Sequence, residues 1–176
     1  GRGLAKLEQE VGIPEGVINC VRVFARAAGA AVVKQKMIDN VVFTGEHRPA
    51  QIITRQSAET LKRWTFELGG KRPNLIFDDA DLDAAVQGAY VGLFLNQGQC
   101  CCAGSRVFVH RSRHEEFVEK LQALTEQRKV GDPFAPDTQQ GPQVDLSQFE
   151  KIMSYIEKGK EQGARCVTGG KRVGDQ

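Results

Sequence analysis

Val41-Val42-Phe43-Thr44-Gly45, then Pro49 leading through Ile52 and Ile53 towards Leu61, then Trp64-Thr65-Phe66, is the stretch that decides the fold. The first run is short, apolar and rich in β-branched residues, and Gly45 stops it, which reads as a buried strand. Pro49 suits the first turn of a helix, where its missing N–H would have no partner in any case. Trp64-Thr65-Phe66 reads as the next strand. Strand, helix and strand at this spacing predict parallel pairing through a crossover helix, and so a doubly wound, Rossmann-like α/β sheet.

Working outward, Leu4, Leu7 and Val11 mark a short amphipathic helix stopped by Gly12 and Pro14, and residues 17–21 read as a buried strand. Residues 27–36 are helix-prone. Downstream, Gly69-Gly70-Lys71-Arg72-Pro73 marks a connection, and a domain boundary is placed there, with residues 1–69 on one side and 70–176 on the other. Residues 74–77 read as a strand, and Asp79 and Asp81 offer caps for a helix whose core face is Leu82, Ala85, Val86, Ala89 and Leu93. Residues 106–110 read as a strand. A helix with Phe117, Leu121 and Leu124 on one face follows from about Arg113. Ser147 is the expected cap of a last helix, and residues 165–168 are an expected final strand.

The chain has 176 residues, 40% of them hydrophobic and 26% charged, with a net charge of +2, which excludes a disordered segment. No run reaches the roughly 18 apolar residues of a membrane span. The basic residues form no cluster of the kind that binds nucleic acid. The start, Gly1-Arg2-Gly3-Leu4, has no initiator methionine and no apolar core of a signal peptide, so a mature form or a piece of a longer chain is expected. Five cysteines, three of them adjacent, argue against a disulfide framework and for free thiols in a reducing compartment, the cytoplasm or the mitochondrial matrix. With no C-x-x-C pair and no matching histidine spacing, no metal site is expected.

The unusual segment is Asn96-Gln97-Gly98-Gln99-Cys100-Cys101-Cys102-Ala103-Gly104-Ser105-Arg106. A cysteine between a polar glycine loop and small residues suits a nucleophile exposed to substrate, beside backbone N–H groups that could face an oxyanion. Composition alone favours the plainer alternative, small buried hydrophobes.

This segment, with Glu67-Leu68-Gly69-Gly70-Lys71, resembles the paired signature of the aldehyde dehydrogenase superfamily. The likeness continues through Asp78-Asp79-Ala80-Asp81-Leu82-Asp83 and Gly141-Pro142-Gln143-Val144, and upstream through Pro14-Glu15-Gly16-Val17-Ile18-Asn19 and Phe43-Thr44-Gly45. The resemblance implies an internal segment, with residues 1–69 the later part of the NAD(P)-binding domain and 70–176 the first part of an α/β catalytic domain. It implies Cys101 as nucleophile and Glu67 as general base. Gly45, Glu46 and Leu68 lie where the family contacts its cofactor, NAD, with NADP left open. An aldehyde would be oxidised to an acid through a thiohemiacetal and a thioester on the cysteine, in a homo-oligomer when the protein is full-length. No nucleic-acid or membrane partner is implied.

The sequence departs from the family in two turns. The one after Phe43-Thr44-Gly45 reads Glu46-His47-Arg48-Pro49, with a carboxylate where cofactor phosphate would lie, and the stretch from there to Glu67 is one residue shorter than the family's; a simple helix-capping carboxylate is the alternative at Glu46. The other is Val23-Phe24-Ala25, which lacks the family's glycines. These departures keep open a catalytically silent or structural relative of the same fold.

Overall fold

The computed structural model describes residues 2–21 and 25–174. The chain divides into two compact units, Gly1–Leu68 and Gly69–Gln176. The first contains helices α1 (Arg2–Glu10), α2 (Ala25–Lys34) and α3 (His47–Ser57), with strands β1 (Asn40–Gly45) and β2 (Arg63–Leu68). β1 and β2 run parallel, in register from Asn40 opposite Arg63 to Gly45 opposite Leu68. The expected strand–helix–strand crossover is therefore present, with α3 burying Ala50 and Ser57. The helix stops short of Leu61: a 3-10 turn, Ala58–Thr60, follows it, and Leu61 takes a left-handed φ of 50°. Lys62 is buried, and its ammonium donates to the carbonyls of Gln35 and Ile38. Arg63 N–H donates to Asp39 O at 3.0 Å. Together these bonds fasten the connection before β1 to the start of β2. Phe43 meets Phe66 edge-on across the strand pair, and Trp64 stacks on Phe66.

Two expected strands are absent. Residues 17–21 are irregular, with Val17 and Val21 exposed; Gly16 has a φ of +86° and its carbonyl accepts from Asn19 Nδ2, so the segment begins in a turn. Residues 165–168 are likewise irregular, ahead of Gly169 and Gly170 at positive φ. An apolar run becomes a strand only where a neighbour takes up its N–H and C=O groups, and among the described residues neither run has one.

The second unit is built on β3 (Pro73–Ile76), α4 (Leu82–Phe94), β4 (Arg106–Val109), α5 (His114–Glu126) and α6 (Leu146–Glu161). β3 and β4 are parallel, with Pro73 opposite Arg106 and Ile76 opposite Val109. Asp81 caps α4, its carboxylate accepting from Ala84 N–H at 3.1 Å. The core joins Ile76, Leu82, Val86, Ala89 and Phe117, with Val107, Val109, Leu121 and Leu124 packed against it. One cap differs from expectation. Asp145, not Ser147, stands at the start of α6, accepting from Gln148 N–H at 2.8 Å, while the Ser147 hydroxyl donates to the same carboxylate. A capping side chain must leave helical backbone, as Asp145 does at φ −160°.

Phe117 is the most enclosed member of this core, 2% exposed. Phe117→Ala should lower stability by about 3–5 kcal/mol, read from the urea midpoint. Lys62→Met removes the charged donor shared by the Gln35 and Ile38 carbonyls and should lower it by about 1–3 kcal/mol. A midpoint unchanged in either variant would remove that residue from the account of the fold.

Candidate active site

At the end of the first sheet, Thr44 pairs with Glu67 and Gly45 with Leu68. Parallel pairing thus brings three of the expected site residues, Gly45, Glu67 and Leu68, to one sheet edge, and α3 begins there with Glu46 at its N-cap in extended backbone. Glu67 and Glu46 are exposed; Gly45 and Leu68 are half-buried. The Phe43 ring leans over Gly45, so that a Cβ at Gly45 would lie 2.6 Å from the ring tip. The first turn of α3 contains no acidic residue and carries His47 and Arg48. A helix start of this kind, at the carboxyl ends of parallel strands, is where α/β sheets receive anionic ligands. The turn at residues 23–24 lies outside the described residues.

The cysteines belong to the second unit, in the loop between α4 and β4. After α4, Asn96, Gln97 and Gly98 all have positive φ, of 50°, 56° and 73°. Glycine takes this conformation readily and asparagine tolerates it, whereas glutamine does so only under constraint. The constraint is visible. Gln99 N–H donates to Asn96 O at 2.9 Å, and Gln97 Nε2 donates to Pro142 O at 3.3 Å. Gln143 Nε2 donates to Gln97 O at 3.3 Å, and Val144 N–H to Gln99 Oε1 at 3.2 Å. Arg128 fixes the base of the same loop, donating to Phe94 O, Tyr90 Oη, Gln139 O and Gln140 Oε1 at 2.8–2.9 Å.

The chain then enters the triplet. Ala103 is buried and its N–H donates to Cys100 O, closing a turn with the Cys101 and Cys102 side chains exposed. Cys100 and Cys102 lie with their sulfurs 3.4 Å apart. Hydrogen bonds from Cys102, first its N–H and then its thiol, hold Cys100 below the ordinary thiol range, helped by the charge of Arg72. Cys102 is pushed up, mainly by its own bond to Cys100 and then by the neighbouring thiolates. The loop lies at the edge where β3 and β4 begin: Arg106 donates to the carbonyls of Lys71 and Arg72, and a Cβ at Gly70 would sit 3.8 Å from Cys101 O.

Among the described residues no group of three or more His, Cys, Asp or Glu is placed to hold a metal ion. His110 and His114 bond to Ser112 and Glu115. Sequence reasoning gave Arg128, Gln97, Gln99 and Gln143 no site role. The Asn96-Gln97-Gly98 run signals a turn, yet its partners lie some 45 residues away.

A family model described as the aldehyde dehydrogenase family matches residues 2–176. A mitochondrial benzaldehyde dehydrogenase of Antirrhinum majus is 51% identical over 97% of this chain and 32% of its own length. Human mitochondrial aldehyde dehydrogenase is 48% identical over 98% of this chain and 34% of its own. An aldehyde dehydrogenase of Bacillus cereus, solved as its NAD+ complex, superposes with a TM-score of 0.94 at 47% identity, over 97% of this chain and 35% of that one. The chain spans about a third of the length of the curated relatives it matches. By its parallel crossover units, its two motifs and this agreement along nearly every residue, the chain belongs to the aldehyde dehydrogenase family.

Proposed function

We propose that the protein carrying this chain oxidises an aldehyde to a carboxylic acid with NAD, using Cys101 as nucleophile and Glu67 as general base. The observation that carries the reading is the exposure of Cys101 on a loop held by long-range hydrogen bonds, in a chain of this family. A surface thiol on a fixed backbone suits attack on a carbonyl better than packing does.

The edge formed by Gly45, Leu68 and the start of α3 fits a dinucleotide. Its helix N–H groups and the Arg48 side chain suit phosphate. The Glu46 carboxylate opposes this fit and should weaken phosphate binding. Bound NAD supplies the hydride acceptor. Cys101 thiolate adds to the aldehyde carbonyl to give a thiohemiacetal, and the thioester that follows oxidation stays on Cys101 Sγ. Glu67 takes a proton from the water that hydrolyses it, releasing acid and free thiol.

All five cysteines are free, which supports a reducing compartment, cytoplasmic or mitochondrial. Among the described residues no helix is long and apolar enough to cross a membrane. Exposed Val42, Trp64, Leu75 and Phe108 on the strands support burial against further protein, a homo-oligomer included.

In the full-length protein Cys101→Ala should abolish dehydrogenase activity, while Cys100→Ala and Cys102→Ala keep most of it; equal loss at all three would remove the assignment. Glu67→Gln should slow steady turnover by about 10²–10⁴-fold yet leave a first-turnover burst of NADH, because hydride leaves before hydrolysis. Normal turnover in that variant would take the base role from Glu67. Alkylation resolved by residue should show Cys100 reacting from lower pH than Cys102, and the reverse order would contradict their hydrogen bonding.

A further inference from the structure

We propose that the loop at residues 141–144 is a positioning element for Cys101, acting through Gln143 and Gln99. The inference rests on Cys101 being the nucleophile. Three successive left-handed residues, Asn96, Gln97 and Gly98, set the direction in which the chain enters the cysteine triplet. One of them, Gln97, carries a side chain that disfavours this backbone, so the turn gains from outside support.

Beside the bond within the turn and Arg128 at its base, residues 142–144 hold its middle and its exit. Gln143 Nε2 holds the carbonyl of Gln97, in the middle of the turn. Val144 N–H holds the side chain of Gln99, directly before Cys100. Pro142 O takes the Gln97 amide. The Gln97 and Gln143 side chains are half-buried, so these contacts are made partly out of solvent. None of the three glutamines belongs to the core cluster around Phe117, so the loop can be loosened without dismantling the unit.

The test is residue-resolved alkylation of the full-length protein by iodoacetamide across a pH series, with kcat and KM measured alongside. In Gln143→Met and Gln99→Met, the limiting high-pH rate at Cys101 should fall about tenfold or more, because a small displacement of a reacting group is enough for that. The rate at Cys166 and the thermal midpoint should hold, and kcat should fall with the Cys101 rate while KM for NAD changes little. Gln99→Glu keeps the acceptor for Val144 N–H and should restore most of the limiting rate. If Gln143→Met does not fold, Gln99→Met breaks the same clamp from the other side. A fast Cys101 in the parent with an unchanged rate in the variants overturns the positioning role alone. A parent whose Cys101 reacts no faster than Cys166 overturns the nucleophile assignment and this inference with it.

Discussion

Parallel strands cannot be joined by a tight turn, because the chain must travel back to the starting edge before it can pair again. In the first unit α3 makes that return, so the end of β1, the start of α3 and the end of β2 fall together. Gly45, Glu46, Glu67 and Leu68 are neighbours for this reason, although twenty residues of sequence separate the two pairs. In the second unit α4 makes the return and the opposite edge is used. β3 and β4 begin side by side, which places Arg72 against Arg106 and gathers the cysteine loop beside Gly70.

The same constraint leaves the cysteine loop with a difficulty that the sheet does not solve. A helix that has just crossed must reverse sharply to start the next strand, and here the reversal uses left-handed backbone at Asn96, Gln97 and Gly98. Such a turn is unstable by itself. Arg128, with four acceptors, ties the end of α4 to the segment at residues 139–140, and the glutamine contacts complete the bracing. The guanidinium also lies 5.3 Å from the Tyr90 ring centre and 5.8 Å from that of Phe94. Planar stacking and a fork of donors are served together only by arginine.

The first crossover unit, and the strands and helix that make up the second, were legible in the sequence because their signals are local. Apolar periodicity separates strand from helix, and Gly45, Pro49 and Asp81 punctuate the boundaries. What failed was non-local. Residues 17–21 and 165–168 have strand composition, but a strand also needs a partner, and composition cannot supply one. Ser147 and Asp145 are both good caps, and the choice turned on which residue leaves helical backbone. The cysteines divide in the same way. Composition favoured burial, whereas Cys20, Cys101, Cys102 and Cys166 are exposed. The bracing by Gln143 was hidden, because hydrogen bonds across 46 residues leave no periodic trace.

The proposed chemistry is distributed between the two compact units, with the nucleophile on a braced loop of one and the base at a strand end of the other. This division has a physical consequence. In the proposed chemistry thiol attack would depend on the backbone direction at Cys101, set within residues 96–103 and their partners at 141–144. Hydrolysis would depend on Glu67, whose place is set by the pairing of β2 with β1. The hydrogen bonds that hold each arrangement lie within its own unit. The exposed Glu46 belongs with the strand-end group. In the proposed arrangement a charge there would bear on cofactor affinity through phosphate and leave the bonds that hold the cysteine loop untouched. An altered phosphate turn is therefore compatible with the nucleophile proposed at Cys101.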